Sequence, residues 1–175
     1  ILYQFANSMN NLQLTNSLTN KKEIFNPINK DKVSLYACGP TVYDNPHVGN
    51  ARALVVFDLL FRILIELYGE KKVTYVRNIT DIDDKIIEAS KEKKIDISDL
   101  TKSVTEKFHK DCKILFCLNP SKEPKATDHV EGMINMTKKL IEKNAAYEKE
   151  GHVFFAVKSF EKYGKLSNKN PNDLK

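Results

Sequence analysis

The stretch YACGPTVYDNPHVGN, Tyr36 to Asn50, decides how this chain is read. Before it, Val33 to Ala37 is a short β-branched and aromatic run bounded by Lys30–Lys32 and Gly39-Pro40, which predicts a buried strand. After it, ARALVVFDLLFRILIELY, Ala51 to Tyr68, is almost continuously apolar, and Arg52, Asp58, Arg62 and Glu66 interrupt it at helical spacing. Gly69 supplies the helix stop. So apolar a helix is expected to be covered on most sides, with a sheet against one of them.

The pattern then repeats. Val73 to Val76 predicts a second strand, running into Asn78, Ile79, Thr80 and Asp81. IDDKIIEASKEKK follows as a helix, with Thr80 or Asp81 as N-cap and Asp83 and Asp84 in the first turn, where the helix dipole favours acids. Strand, helix, strand, helix is the βαβ signature of a parallel sheet with right-handed crossovers, so the class is α/β. The loops after Ala37 and after Val76 then leave the carboxyl ends of neighbouring strands, where open α/β sheets bind ligands.

Further along, Ser98 or Asp99 can cap a helix carrying Leu100, Val104, Phe108, Cys112 and Leu115, which Pro120 and Pro124 end. Thr127 or Asp128 starts another, with Val130, Met133 and Ile134 turned inward. AAYEKEGHVFFAV reads as a hairpin turning near Gly151. Residues 1–31 read as short strands and turns. The compositional break at Asn119–Lys125 marks a domain boundary, and no internal repeat is present.

With 175 residues and 41% hydrophobic content, the chain is long enough for one domain with an appendage. No apolar run approaches the length of a membrane span, no secretory leader pattern opens the chain, and the three cysteines lack a CxxC pair. These features predict a cytoplasmic protein without membrane association. The net charge of +5 comes almost wholly from lysine, a mild bias that permits contact with nucleotide or RNA but also describes ordinary solvated helices. The first residue, Ile1, and the polar stretch SNKNPNDLK before Lys175 both read as cut edges.

His47-Val48-Gly49-Asn50 lies at the entrance to the apolar helix. Free N–H groups and the positive helix end make such a place an anion site, with phosphate the usual occupant. Gly49 would allow close approach, and His47 and Asn50 could donate hydrogen bonds to a phosphate whose charge grows during reaction. The same four residues also read as a plain N-cap and turn. No GxxxxGK[ST] or GxGxxG is present, which excludes a P-loop and the standard dinucleotide fingerprint. Cys38, taken alone, reads as a small buried hydrophobe, and with Cys112 and Cys117 it makes no complete zinc set.

Taken in order and spacing, TNSLTNKKEIFNPI, YACGPTVYDNPHVGNAR, YVRNITDIDDKII, KATDH and YGKLS resemble the N-terminal part of the cysteinyl-tRNA synthetase family, class I aminoacyl-tRNA synthetases. His47-Val48-Gly49-Asn50 stands where that class carries its HIGH motif, with Asn in the fourth position. The resemblance implies the first half of a Rossmann-type nucleotide-binding domain with a parallel sheet, residues 1–118, and part of a mixed connective insertion, residues 119–175. It implies a monomer that activates L-cysteine with ATP and Mg2+ to cysteinyl-adenylate and transfers it to tRNA(Cys). His47 and Asn50 would be catalytic, and Pro40, Thr41, His47, Gly49 and Asn50 would bind ATP. Gly39, Thr41 and Thr80 would line the cysteine pocket, with Asn78 and Asp81 in support.

Cys38 would be one ligand of a Zn2+ ion that holds the substrate thiol as thiolate. Metal ligation can discriminate cysteine from serine where shape alone would do so poorly. The other zinc ligands and the KMSKS loop of the family lie in the second half of its catalytic domain. Lys165–Lys169, KLSNK, looks superficially like KMSKS but matches the insertion better, and His109, His129 and His152 read as surface or capping residues rather than substitute ligands. Two alternatives accompany this reading: a cysteine ligase of the mycothiol pathway, with the same activation chemistry and an amino-sugar acceptor, and an inactive nucleotide-binding fragment.

Overall fold

The computed structural model describes residues 12–170. The readings that fell on residues 1–11 and 171–175 lie outside them. The chain divides into two compact units, Pro27–His129 and residues 12–26 with 130–170.

The first unit holds β3 (Val33–Ala37), α1 (Val48–Tyr68), β4 (Val73–Arg77), α2 (Asp84–Lys93) and α3 (Ile97–Ile114). β3 and β4 pair in parallel from Val33↔Val73 to Ala37↔Arg77, so the strand–helix–strand reading holds. Alternation does the rest: Val33 and Ala37 of β3 and Val73, Tyr75 and Arg77 of β4 are buried on one face. The segment after residue 118 continues along β4. Val76 pairs with Lys122 and Ile79 with Lys125, both in parallel, while Tyr75 N–H donates to Ser121 Oγ at 3.0 Å. Satisfying the free edge of β4 explains why these residues stay with the sheet.

The core joins Val42, Leu54, Ile79 and Ile86 to Leu100, Val104, Phe108 and Cys112 of α3. The i, i+4 spacing of those α3 residues is the apolar stripe anticipated there. Three local expectations are corrected. Asp83, not Thr80 or Asp81, caps α2, accepting from Lys85 N–H at 2.9 Å. Asp96, not Ser98 or Asp99, caps α3, accepting from Ser98 N–H at 2.7 Å. α1 buries only Leu54, Asp58, Phe61 and Leu64, while Val55, Val56 and Leu59 are exposed, so it is covered on one face rather than on most sides. Asp58 is tolerated in that buried row because Arg62 Nε donates to it at 2.7 Å and Leu118 N–H at 2.7 Å.

The second unit contains a hairpin of β1 (Gln13–Asn16) and β2 (Lys21–Ile24), then α4 (Val130–Glu142), then a hairpin of β5 (Ala146–Lys149) and β6 (His152–Phe155). The turn between β5 and β6 is Glu150-Gly151 with φ of 53° and 78°, the left-handed pair that a two-residue hairpin loop requires. No residue of α4 is buried, against the expectation for Val130, Met133 and Ile134. The hairpin beside α4 has a buried side chain only at Ala146, too little to cover a helix face. Lys165–Asn168 is a turn in which Asn168 adopts φ 53° and donates through Nδ2 to Ser17 O at 2.9 Å.

Candidate active site at the carboxyl ends of the parallel strands

Parallel pairing resumes beyond the two strands. Thr80 N–H donates to Pro40 O at 3.0 Å and Val42 N–H to Thr80 O at 3.1 Å, which sets Thr41 beside Thr80 in a parallel bridge. Between this rung and the last rung of β3–β4 sits a side-chain clasp. Asn78 Oδ1 accepts Gly39 N–H at 2.9 Å, and Asn78 Nδ2 donates to Thr80 Oγ1 at 3.2 Å. Gly39 has to be glycine, since a Cβ there would come within 1.6 Å of the Asn78 carbonyl oxygen. The loops after β3 and β4 are therefore joined by both backbone and side chain.

His47, exposed, is the N-cap of α1. The helix begins at Val48, three residues before the expected Ala51, because His47 Nδ1 accepts Gly49 N–H at 3.0 Å and His47 N–H donates to Asn50 Oδ1 at 3.0 Å. That reciprocal pair is a capping box. It changes what the helix end offers. Gly49 N–H is held by the imidazole, and Asn50 N–H donates to His47 O at 2.9 Å, so neither is an open anion donor. What remains are side-chain donors. With Nδ1 accepting, the neutral ring carries its proton on Nε2, and with Oδ1 accepting, Asn50 presents Nδ2. Gly49 makes room for the ring, since a Cβ would lie 2.8 Å from His47 Cε1.

These groups surround adjoining cavities. One of about 260 Å³ is lined by Gly39, Pro40, Thr41, His47, Asn50 and Phe108 among others. A smaller one of about 70 Å³ is lined by Cys38, Gly39, Pro40, Asn50, Tyr75 and Arg77 among others. Gly39, Pro40 and Asn50 belong to both walls, so the Cys38 end and the His47 end meet. Gly49, Asn78, Thr80 and Asp81 line neither cavity. Asn78 and Thr80 support the wall through Gly39 and Pro40. Asp81 accepts Thr127 N–H at 3.0 Å and Thr127 Oγ1–H at 2.6 Å, one on each carboxylate oxygen, and so braces the segment after β4.

Cys38 is exposed, not the buried hydrophobe its residue type alone suggests, and its Sγ lies 3.6 Å from Gly39 O. An exposed thiol at the cavity rim suits a metal ligand. Among the described residues, however, no three of His, Cys, Asp and Glu gather as a metal site. Cys112 and Cys117 are elsewhere. Burial pushes the Cys112 thiol from the ordinary 9.0 up to about 11 and raises Cys117 too, as befits packing residues.

Sequence reasoning missed several supports. Arg77 is buried at the end of β4, and Glu123 receives its Nε at 3.0 Å and Nη2 at 2.6 Å. Burial alone would lower the guanidinium pKa, but the hydrogen bonds and charge of Glu123 outweigh it and the net shift is upward. His109 Nε2 bonds the second Glu123 oxygen, and the Arg77 guanidinium lies 4.9 Å over the Phe108 ring. The loop before His47 is held by lysines: Lys93 Nζ bonds Asp44 at 3.3 Å and Lys107 Nζ bonds Asn45 at 3.1 Å. Arginine in an apolar strand was a readable signal. Its acid lies 46 residues away, and no local pattern announces it.

Residues 24–175 match the family described as tRNA synthetases class I (C) catalytic domain. The cysteine–tRNA ligase of Pelagibacter ubique (strain HTCC1062) is 58% identical over 161 residues, 92% of this chain and 36% of that protein. The cysteine–tRNA ligase of Orientia tsutsugamushi (strain Ikeda) is 56% identical over 158 residues, 90% of this chain and 33% of that protein. That of Rickettsia felis (strain ATCC VR-1525 / URRWXCal2) is 52% identical over 161 residues, 92% and 35%. The chain thus spans about a third of the length of these curated relatives.

Proposed function

Because the chain belongs to the class I (C) tRNA synthetase catalytic-domain family, we propose that it carries the first part of a cysteine–tRNA ligase site. In this reading residues 1–118 are half of a Rossmann-type domain and residues 119–175 open a connective insertion. The observation that supports it is that Gly39, Pro40 and Asn50 line both the cavity bordered by Cys38 and the one bordered by His47, next to strand-end loops joined at Thr41 and Thr80.

The cysteine carboxylate attacks the α-phosphate of ATP, the bond from the α-phosphorus to the bridging β-phosphate oxygen breaks, and pyrophosphate leaves; Mg2+, when bound, would offset its charge. His47 Nε2–H and Asn50 Nδ2–H donate to the phosphate oxygens as charge grows there, and the capping box holds both side chains in place beforehand. Pro40 and Thr41 line the nucleotide side of the crevice, with Gly49 behind it making room for the His47 ring, while Gly39 and Thr41 line its amino-acid side, with Thr80 supporting that wall through Pro40. Zinc, when bound, would hold the substrate thiol as thiolate, with Cys38 one of its ligands. The cysteinyl group then passes to tRNA(Cys). No described helix is long and apolar enough to cross a membrane, and the reading places the protein in the cytoplasm as a monomer.

The acceptor distinguishes this from a ligase that joins cysteine to an amino sugar. The protein, extended to the length of its relatives, is given labelled cysteine, ATP and each acceptor in turn. Label on tRNA supports the proposal. Label on the amino sugar alone overturns it.

A further inference from the structure

We propose that Cys112 and Cys117 are a dithiol pair that closes to a reversible disulfide on exchange with a small disulfide of the glutathione kind. The modification site lies at the carboxyl end of α3 and does not depend on the cysteine-activating reading.

The helix end sets the pair. Phe116 N–H donates to Lys113 O and Cys117 N–H to Cys112 O, each at 3.0 Å, and Phe116 takes φ 55°. This is a Schellman ending, in which the chain folds back so that the residue two past the cap meets the third residue from the helix end. Here those residues are Cys117 and Cys112. Cys117 packs against the buried cluster that contains Cys112. With standard bond lengths, the Cys117–Cys112 backbone hydrogen bond holds the two α-carbons to about 6 Å or less, inside the span a disulfide bridges. Arg62 Nη2 donates to Phe116 O at 2.7 Å and Leu118 N–H to Asp58 Oδ1 at 2.7 Å, so the chain is clamped on both sides of Cys117. To turn toward Cys112, the Cys117 Sγ gives up a weak 3.9 Å contact with Leu115 O. Packing alone would accept any apolar pair here, and two thiols add chemistry to it.

Cys117, the more exposed of the two, reacts first. Its thiolate attacks one sulfur of glutathione disulfide, the S–S bond breaks, and one glutathione leaves as a thiolate that takes up a proton. Cys112, deprotonated, then attacks the Cys117 sulfur and displaces the second glutathione. Two protein thiols and one glutathione disulfide become one protein disulfide and two glutathione thiols. Burial raises both protein thiols, which denies the reduced pair stabilisation as thiolate; the bridge is favoured at equilibrium and slow to form.

The test uses the protein extended to the length of its relatives, folded, with excess glutathione disulfide at about pH 8, followed by mass spectrometry of unreduced peptides. A Cys112–Cys117 bridge is expected, two hydrogens lighter than the dithiol, free of glutathione and reopened by dithiothreitol. It should form at the same rate with and without urea below the unfolding transition. Cys112→Val keeps an apolar side chain but removes the resolving thiol, so glutathione should stay on Cys117. Glutathione retained on Cys117 in the wild-type protein, thiols that both stay reduced, or a bridge that forms only as the protein unfolds each overturns the inference. So does a Cys112→Val protein without the adduct.

Discussion

His47 Nδ1 accepts the backbone N–H of Gly49 at 3.0 Å, so the residue proposed to face ATP is also the cap of the helix behind it. Capping and chemistry can be separated by two substitutions. His47→Ala should reduce amino-acid-dependent exchange about 100-fold or more and also destabilise the fold by about 1 kcal/mol. His47→Asn, a good cap without the ring donor, should recover the stability and not the rate. Equal exchange in His47→Ala and wild type would remove His47 from the chemistry.

Gly39→Ala forces a Cβ to within 1.6 Å of the Asn78 carbonyl oxygen, where backbone must move rather than a flexible side chain. The expected cost is about 3 kcal/mol or more, read as a lower denaturant midpoint. A midpoint within experimental error of wild type would show that the two strand-end loops are not in this register.

Glu123→Gln leaves the buried Arg77 guanidinium facing a neutral amide. Both side chains are largely shielded, Arg77 at 5% and Glu123 at 20% exposure, so solvent compensates little. Loss of about 3–5 kcal/mol is expected from chemical denaturation. The double variant Arg77→Met with Glu123→Gln should be less damaged than Glu123→Gln alone, because no unpaired charge remains.

Cysteine chemistry should divide by position. An alkylating reagent at neutral pH should modify exposed Cys38 first and reach buried Cys112 only on unfolding. The Cys112 thiol is raised from 9.0 to about 11 by burial, so between those values the folded state binds more protons than the unfolded. Its contribution is fully present below about pH 9 and is lost as pH rises toward about 11, about 3 kcal/mol in all. Cys112→Ala should flatten that part of the stability–pH curve, measured by denaturant melts from pH 8 to 11.

Much of the first unit was legible because hydrophobic period and punctuation agree there. Val33–Ala37 and Val73–Val76 are dense in β-branched and aromatic residues, and α1 is long and apolar; in the second unit, Gly151 marks the hairpin turn by taking one of its positive-φ positions. Cys38, Gly39, Thr41, His47 and Asn50 stood out in the sequence by residue type, and each borders one of the two cavities. What escaped reading were relations that depend on distance in the chain. The path of residues 121–126 along β4, the Glu123–Arg77 pair and the Asp81–Thr127 brace each join positions more than 40 apart, for which local pattern carries no signal. Cap positions shifted by a few residues because several acids and hydroxyls compete near each helix start, and Asp83 and Asp96 win by bonding the N–H two residues on.

The most direct test is ATP–pyrophosphate exchange catalysed by the protein extended to the length of its relatives, run with each amino acid separately. The account predicts exchange that depends on cysteine, falls by orders of magnitude with serine, and collapses when His47 is replaced by alanine. Exchange driven equally by serine and cysteine, or none with cysteine at all, would contradict it.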